Sequence, residues 1–268
     1  MPRMLDLHCH MLPAIDDGST DLGMSLEMAR MSVADGVHTV ACTPHIYPGL
    51  YENNATGIRK AIAELQQKLD EEGIDLKLVE GADVHLDTDL AGAIRNGRVP
   101  TLAGSRYLLL EPPHHVAPPG FESRVFELMT AGITPVITHP ERLSWVEDHY
   151  DLFMRLVDRG AWMQITAGAL TGRHGRRPKY WGDRFVGEGK AHILATDAHD
   201  TRRRPPYLAE AREAAAALVG SEEAYHLVVT RPAGIVANAA PDTLPPLPMG
   251  AKPAPEKGGF WQWLRGTA

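Results

Sequence analysis

Short runs of β-forming residues alternate along most of this chain with longer stretches of helical periodicity. The β-forming runs predict strands at residues 5–8, 38–43, 76–80, 107–110, 134–138, 162–166 and 192–195. Helices are predicted between and after them, at residues 21–34, 53–72, 87–95, 121–131, 146–159, 179–188, 206–218 and 222–229. About seven β/α units in this order favour an α/β fold with a parallel sheet. No G-x-G-x-x-G motif follows the first strand, so a dinucleotide-binding sheet loses its main support and we expect a β/α barrel.

The length and composition are those of one large globular domain with a short extension. The chain has 268 residues, of which 44% are hydrophobic and 23% are charged. We assign residues 1–240 to the barrel. Residues 241–268 are rich in Pro and Gly, which predicts an extended or disordered tail. Four apolar residues near its end could dock on a partner, on a membrane surface or on the barrel itself, or could belong to a frayed terminus: Phe260, Trp261, Trp263 and Leu264.

The charge balance and the cysteines narrow the class of function. A formal net charge of -7 gives no general electrostatic footprint for nucleic acid. An acidic protein that handles phosphate must therefore obtain positive charge locally, from metal ions or from a few arginines. Two cysteines, Cys9 and Cys42, are too few for a disulfide framework. With no signal peptide and no apolar run of transmembrane length, we expect a cytoplasmic protein.

Potential metal ligands stand at the end of nearly every predicted strand. They are His8, His10, His45, Asp83, Glu111, His139, Asp197 and His199. Because the carboxyl ends of the strands of a parallel barrel converge on one face, these side chains should become neighbours in space. The sixth strand is the exception, since Gln164 and Thr166 are weak ligands. The mixture of imidazole and carboxylate suits Mn, Fe or Zn better than Mg or Ca.

Two arginines close to these ligands are candidate phosphate-binding groups. Arg142 follows His139 by three positions, and Arg204 ends a run of three arginines just after His199. Arg binds phosphate through two parallel hydrogen bonds and cannot lose its charge. Neither cysteine has the Arg six positions later that a cysteine-based phosphatase needs, and no G-x-S-x-G or P-loop motif is present. These residues together predict a metal-dependent hydrolase of phosphate esters.

Six motifs of the chain resemble those of a known superfamily, named PHP for polymerase and histidinol phosphatase. They are DLHCHMLPAIDDGS, ACTPHIYPG, GADVHL, LLLEPP, THPER and ATDAHD, which occur in the family's order. More narrowly, the chain resembles the bacterial manganese-dependent protein tyrosine phosphatases of capsule and exopolysaccharide synthesis, the CpsB type. The resemblance covers roughly residues 4 to 240, and it implies a distorted seven-stranded β/α barrel, TIM-like, that holds three metal ions.

The resemblance also implies a role for each matched residue. The first ion would be bound by His8, His10, Asp83 and Asp197. The second would be bound by Asp83, Glu111 and His139, with Asp83 bridging the two ions. The third would be bound by Asp17, His45 and His199, and Asp16 is the alternative to Asp17. Arg142 and Arg204 would hold the substrate phosphate.

One position departs from the family pattern. The family usually has Glu at the bridging position, where this chain has Asp83. Aspartate is one methylene shorter, so the third strand would need to advance slightly for it to bridge. Glu80, three residues earlier, is the alternative ligand.

The resemblance implies hydrolysis of protein tyrosine phosphate by a metal-activated hydroxide, with two or three divalent ions, Mn or else Fe or Zn. Asp200 or a metal-bound water would protonate the leaving oxygen. The natural partner would be a tyrosine kinase of capsule synthesis. Two alternatives stay open: a histidinol-phosphate phosphatase or another PHP phosphoesterase, and a non-catalytic metal-binding docking protein.

Overall fold

The computed structural model describes residues 3–86 and 89–248. Its strands are β1 (Met4–Cys9), β2 (Val37–Cys42), β3 (His45–Ile46), β4 (Lys77–Glu80), β5 (Asp83–His85), β6 (Tyr107–Glu111), β7 (Thr134–Thr138), β8 (Trp162–Thr166) and β9 (Ile193–Ala195). Its α-helices are α1 (Leu22–Ala34), α2 (Ala55–Glu71), α3 (Leu90–Arg95), α4 (Phe121–Thr130), α5 (Tyr150–Asp158), α6 (Ala167–Leu170), α7 (Arg176–Gly187), α8 (Ala209–Val219), α9 (Ser221–Tyr225) and α10 (Arg231–Val236). One π-helical turn, His226–Thr230, joins α9 to α10.

Every pairing between these strands is parallel, as the β/α alternation predicts. The strands form two sheets, one in the order β1-β2-β4 and one in the order β3-β5-β6-β7-β8-β9. The sequence correctly predicts the α/β class with parallel sheets. Among the described residues the structure has nine strands, so the predicted number of seven is wrong.

The difference arises because two predicted strands are interrupted near their carboxyl ends. The first interruption falls at Thr43 and Pro44, and Pro44 has no amide hydrogen to donate to a neighbouring strand. The second falls at Gly81 and Ala82, where a β-carbon on Gly81 would lie 2.9 Å from Cγ2 of Thr43. The chain resumes as β3 and β5, which pair in register and belong to the second sheet.

Backbone hydrogen bonds also link β1 to the segment that follows β9. The carbonyl of His8 accepts from the amide of Asp197 at 2.8 Å, and the amide of His10 donates to the carbonyl of Ala198 at 2.8 Å. The carboxyl ends of the first and last strands are therefore adjacent. This adjacency brings residues separated by nearly the whole chain to one place.

The core lies on both faces of the strands. β6, β7 and β8 are buried at every position, which is expected of parallel strands covered on both sides. One buried cluster combines residues of both sheets with one from a 3-10 turn and one from α10: Leu7, Ala41, Leu102, Tyr107, Leu109, Val136, Trp162, Ile193 and Ile235. The larger cluster lies between the strands and the helices that follow them. Among the described residues, no helix combines the length and apolar character needed to cross a bilayer.

The beginning of the predicted tail packs on the domain. Leu244 lies against Gly234, where an added β-carbon would come within 2.3 Å of its Cδ2. The guanidinium of Arg231 donates to the carbonyls of Pro245 at 3.0 Å and Pro246 at 2.8 Å. The remainder of the predicted tail, with Phe260, Trp261, Trp263 and Leu264, lies outside the described residues.

Candidate metal centre

The structure brings all nine predicted ligand residues together at the carboxyl ends of the strands. Together with His114 they fall into overlapping groups, and within each group the donor atoms lie within 4.8 Å of one another: His10, Asp17, His45 and His199; His8, His10 and Asp197; His8, Asp83 and His139; Glu111, His114 and His139; and His45, Asp83 and Glu111. The strand ends account for this convergence. For example, His45 and Asp83 are direct partners across β3 and β5.

The group of His8, His10 and Asp197 joins β1 to the segment after β9. Nε2 of His8 lies 3.2 Å from Nε2 of His10. Both nitrogens face Oδ1 of Asp197, at 3.3 Å and 3.4 Å. All three side chains are buried. Three donor atoms thus converge on one small volume, which is the arrangement that an ion would need.

Asp83 stands at the centre of the cluster. Its Oδ2 lies 3.4 Å from Nε2 of His8, 3.6 Å from Nδ1 of His45 and 3.8 Å from Nε2 of His139. The carboxylate is fully buried, and neither oxygen accepts a hydrogen bond from any described residue. A buried carboxylate without hydrogen bonds is costly unless a cation neutralises it. Nδ1 of His45 and Nε2 of His199 are also buried and form no hydrogen bond with any described residue.

The remaining predicted ligands close the cluster on its more open side. Glu111 lies 3.3 Å from Nδ1 of His45 through Oε2 and 3.7 Å from Nε2 of His139 through Oε1. Oδ1 of Asp17 lies 3.4 Å from Nε2 of His45 and 3.5 Å from Nε2 of His199. The unpaired buried atoms and the nitrogen and oxygen donor set therefore fit divalent transition-metal ions.

The carboxylates and imidazoles perturb one another strongly. Burial would raise the pKa of Asp83, but the imidazole of His8 and its neighbours hold it well below its ordinary value. Burial would lower the pKa of His8, but Asp197 and Asp83 raise it to about 9. Burial lowers the pKa of His139 to about 4, and the charge of Arg142 adds to this effect. Such opposed shifts within one cluster are typical of functional sites.

Two polar groups orient the imidazoles from behind. Oε1 of Gln164 lies 2.9 Å from Nδ1 of His8. Oδ2 of Asp16 lies 2.7 Å from Nδ1 of His10 and accepts the amide of His45 at 3.1 Å. A hydrogen bond to one ring nitrogen fixes the orientation of the ring and leaves the other nitrogen for an ion. The geometry favours Asp17 over Asp16 as a ligand, and it gives Gln164 an orienting position.

The two predicted phosphate-binding arginines meet at one carboxylate oxygen. Arg142 and Arg204 both donate to Oδ2 of Asp197, whose Oδ1 faces the imidazoles. Their side chains are 21% and 25% exposed, so they reach the cluster from its solvent side. Packing in the hydrophobic core does not explain the positions of these two side chains. The arginines place two fixed positive charges beside the predicted ligands.

Two of the alternatives weighed from the sequence are engaged elsewhere. Glu80 pairs with Arg59 at 2.5 Å and is absent from the described ligand groups. Oδ1 of Asp200 accepts the amides of Arg202 and Arg203 at 2.6 Å each. Although partial burial opposes it, these amides lower the pKa of Asp200. A carboxylate held in this way is a poor proton donor.

The structure adds residues that the motifs do not identify. Nε2 of His114 lies 3.4 Å from Oε1 of Glu111, and its ring lies 4.8 Å from that of His139. The only sequence signal for His114 is its position three residues after Glu111. Burial of His174, together with the nearby positive charge of Arg142, lowers the pKa of His174 to about 4. No pattern in the sequence indicates the position of His174.

Neither cysteine belongs to the described ligand groups. Cys9 and Cys42 are free and buried, and the thiol of Cys9 points to the carbonyl of Ala198 at 3.9 Å. Burial raises the pKa of Cys42 above its ordinary range. Thiols that stay protonated are poor nucleophiles and poor ligands. The cluster is therefore built from imidazoles and carboxylates.

Known proteins resemble this chain in sequence and in fold. YwqE, a tyrosine-protein phosphatase of Bacillus subtilis, is 35% identical over 224 residues, which cover 84% of this chain and 88% of YwqE. CpsB, a tyrosine-protein phosphatase of Streptococcus pneumoniae, is 28% identical over 243 residues, with 87% and 98% covered.

Solved structures agree with this relationship. A chain from the crystal structures of YwqE and CpsB, described as unique metal-dependent tyrosine phosphatases, matches with a TM-score of 0.85 and 33% identity, covering 88% of this chain and 96% of that one. The phosphotriesterase homology protein of Escherichia coli matches with a TM-score of 0.58 at 9% identity, covering 87% and 98%, which shows a shared fold alone. The sequence profile described as capsular polysaccharide synthesis, CpsB/CapC, matches residues 4–237. The chain therefore belongs to the CpsB/CapC family.

Proposed function

We propose that this protein is a metal-dependent phosphatase that hydrolyses phosphotyrosine in proteins. The observation that carries the proposal is the buried carboxylate of Asp83, without a hydrogen bond from the described residues, at the centre of the imidazole and carboxylate cluster. Two arginines reach the same cluster from the solvent side. The names of YwqE and CpsB as tyrosine phosphatases support the substrate class.

The cluster offers positions for two or three divalent ions, for which Mn is our first choice and Fe or Zn the alternatives. The proposed ligands are His8, His10, Asp83 and Asp197 for one ion, Asp83, Glu111 and His139 for a second, and Asp17, His45 and His199 for a third. The overlap of the groups at Asp83 supports a bridging role for it. When bound, such ions lower the pKa of water and neutralise charge on a phosphoryl group.

The fold that positions these ligands is, in our proposal, a distorted β/α barrel. If β2 with β3 and β4 with β5 are taken as two interrupted strands, the strand order becomes continuous in the sequence. The hydrogen bonds between β1 and the segment after β9 support a link between the first and last strands. Active sites of such barrels lie at the carboxyl ends of the strands, where this cluster is.

The arginines are proposed to bind the phosphate. In this structure Arg142 and Arg204 share one oxygen of Asp197, and their guanidinium groups have further donors for phosphoryl oxygens. Guanidinium charge is permanent, so it would also stabilise the charge that builds up on those oxygens during hydrolysis. The leaving group from phosphotyrosine is a phenolate, whose conjugate acid has a pKa of about 10. Such a group needs little help from a proton donor, which agrees with the engagement of Asp200 in its own loop.

The physiological partner is proposed to be a phosphotyrosine protein of capsule or exopolysaccharide synthesis, and a tyrosine kinase of that pathway is our first candidate. The family assignment to capsular polysaccharide synthesis supports this choice. A cytoplasmic location stays a prediction from the sequence.

Asp83→Asn tests the proposal, because it removes the central charge without changing the shape of the side chain. We expect kcat/KM on a phosphotyrosine peptide to fall about 100-fold or more, since loss of metal-ion stabilisation costs several kcal/mol. Asp183→Asn, on α7 and ion-paired with Lys179, is the matched control and should retain full activity. Unchanged activity of Asp83→Asn after loading with Mn would contradict the proposal.

A further inference from the structure

We infer that the cavity between the loop after β3 and the loop after β6 is the binding pocket for the aromatic ring of the phosphotyrosine, an inference that rests on the proposed function. The cavity has a volume of about 370 Å³. This is within the range of small-molecule pockets. Asp17, His45 and Glu111, three of the proposed metal ligands, are among its lining residues. A phosphoryl group at the cluster would therefore direct its ester substituent into this cavity.

The loop after β3 forms one wall and is held rigidly. The backbones of Tyr47 and Tyr51 pair in both directions, at 3.0 Å and 2.8 Å. Gly49, at φ +83°, makes the tight turn between them. The ring of Tyr51 stacks on that of His45 at 5.6 Å with an interplanar angle of 16°. The aromatic surface of this wall is thus in place before a ligand binds.

The loop after β6 forms the other wall. It contributes Pro112, Pro113 and Val116 to the cavity. The carbonyl of Pro113 accepts from Nε1 of Trp145 at 2.8 Å, which anchors the loop to the domain. The two loops therefore form a slot lined by apolar and aromatic side chains together with the imidazoles of His85, His114 and His115.

Exposed apolar side chains mark both edges of the slot. Leu50 is 62% exposed and Val116 is 67% exposed, and Tyr47, on the wall formed by the loop after β3, is 36% exposed. Apolar side chains gathered around a cavity indicate a surface that a ligand covers. A flat aromatic ring would cover them, whereas the short alkyl chain of phosphoserine would leave them in water.

The arginines contact the cluster outside the described lining of the slot. Arg142 and Arg204 contact Asp197, and none of these three residues belongs to the described lining of the cavity. The site consequently has separate places for the two halves of the substrate. The arginines take phosphoryl oxygens, and the slot takes the ring. Selectivity for aryl over alkyl phosphates then comes from binding in addition to the better leaving group.

Binding of two phosphonates to the Mn-loaded protein, measured by titration calorimetry, separates these contributions. Phenylphosphonate and methylphosphonate share the head group, and neither can be hydrolysed. We expect the protein to bind phenylphosphonate about tenfold more tightly or better, from burial of the ring. Leu50→Ser combined with Val116→Ser should lose most of this preference and keep the affinity for methylphosphonate. Both side chains are exposed, so the variant should fold.

Leu218→Ser, an exposed leucine on α8 outside the cavity lining, is the matched control and should keep the preference. Equal affinity of the unaltered protein for the two phosphonates would overturn the inference, as would a double variant that retains the full preference. Hydrolysis of a phosphotyrosine peptide is measured separately. A protein that prefers phenylphosphonate but hydrolyses no phosphate ester would retain the pocket and disprove the phosphatase.

Discussion

Adjacent aspartates in the loop after β1 have different environments. The side chain of Asp17 is 48% exposed and faces His45 and His199. That of Asp16 is 1% exposed and accepts from the ring of His10 and from the amides of Gly18 and His45. Asp16 therefore has its acceptor capacity occupied, whereas Asp17 is open to an ion. A carboxylate in the position of Asp16 sets the orientation and basicity of the imidazole in front of it.

Exchanging each aspartate for asparagine should separate the two roles. Asp16→Asn should bind the same number of Mn ions with affinity lowered about 10- to 100-fold, because only the support of His10 is weakened. Asp17→Asn should bind one ion fewer. Metal titration with elemental analysis measures both quantities, and Asp151→Asn on α5 is the control. An ion lost from the Asp16 variant and kept in the Asp17 variant would reverse the assignment.

The strand-end rule predicts the residues of the cluster well, because it depends only on the order of strands and on which polar side chain follows each one. His8, Asp83 and His139 can be found in this way. The rule fails for His174, whose approach to Arg142 is created by the path of the loop before α7. It also gives no reason to link Gln164 with His8, since that contact joins side chains 156 positions apart.

At the level of elements, a side chain extends the ladder between β8 and β9. Just before β9, the amide of His192 donates to the carbonyl of Met163 at 2.9 Å. Nδ1 of the same residue accepts the amide of Met163 at 3.1 Å. The ring stacks on Trp162 at 4.8 Å and is buried. Only a neutral imidazole can accept a hydrogen bond from this amide. Burial holds the pKa of His192 well below its ordinary value, and the positive charges of Arg231 and Lys190 add to this effect.

His192 should therefore make the fold sensitive to acid. The unfolded chain protonates His192 near pH 6.5, whereas the folded chain does so only at much lower pH. Because the unfolded state binds more protons, this residue's contribution to stability is present above pH 6.5 and is lost as the pH falls below it. Between pH 7.5 and 5.5 the free energy of unfolding should fall by about 1.4 kcal/mol on account of His192. This amount follows because pH 5.5 is about one unit below the ordinary pKa, and one unit corresponds to about 1.4 kcal/mol.

His192→Gln keeps an acceptor but does not titrate, so its stability should fall less over this pH range by about that amount. Urea unfolding in the presence of EDTA measures the difference without contributions from bound metal. His149→Gln, exposed before α5, should behave like the unaltered protein. Equal pH dependence of the His192 variant and the unaltered protein would show that the imidazole is not kept neutral by the fold.

The sequence predicts complete, buried elements better than interrupted ones. The predicted strand at 107–110 differs from β6 by one residue, since an apolar run between turn residues leaves little choice. The interruption between β4 and β5 lies where Gly81 approaches Thr43, a contact between distant segments. The π-helical turn between α9 and α10 has no local signal either. Tertiary packing determines both features.

At the scale of the whole molecule, one buried arginine joins three parts of the chain. The side chain of Arg231, at the start of α10, is 1% exposed and pairs with both oxygens of Glu223 in α9, at 2.6 Å and 3.0 Å. It also donates to the carbonyl of His192 before β9 at 3.3 Å. The last described segment completes the set through Pro245 and Pro246. Five donor contacts satisfy the guanidinium, which makes its burial tolerable.

Replacing Arg231 alone should lower the free energy of unfolding by far more than the loss of its own hydrogen bonds suggests. Arg231→Met leaves the carboxylate of Glu223 buried and unpaired, so we expect the free energy of unfolding to fall by about 3–5 kcal/mol. Arg231→Met combined with Glu223→Leu removes that charge as well and should recover part of the loss. Urea unfolding of the single and double variants gives the coupling energy. Protease cleavage near Pro245 should become faster in both, because both lose the donors that hold this segment. If the double variant were no more stable than Arg231→Met, relief of the stranded carboxylate would be ruled out, and the carbonyl contacts would account for the loss.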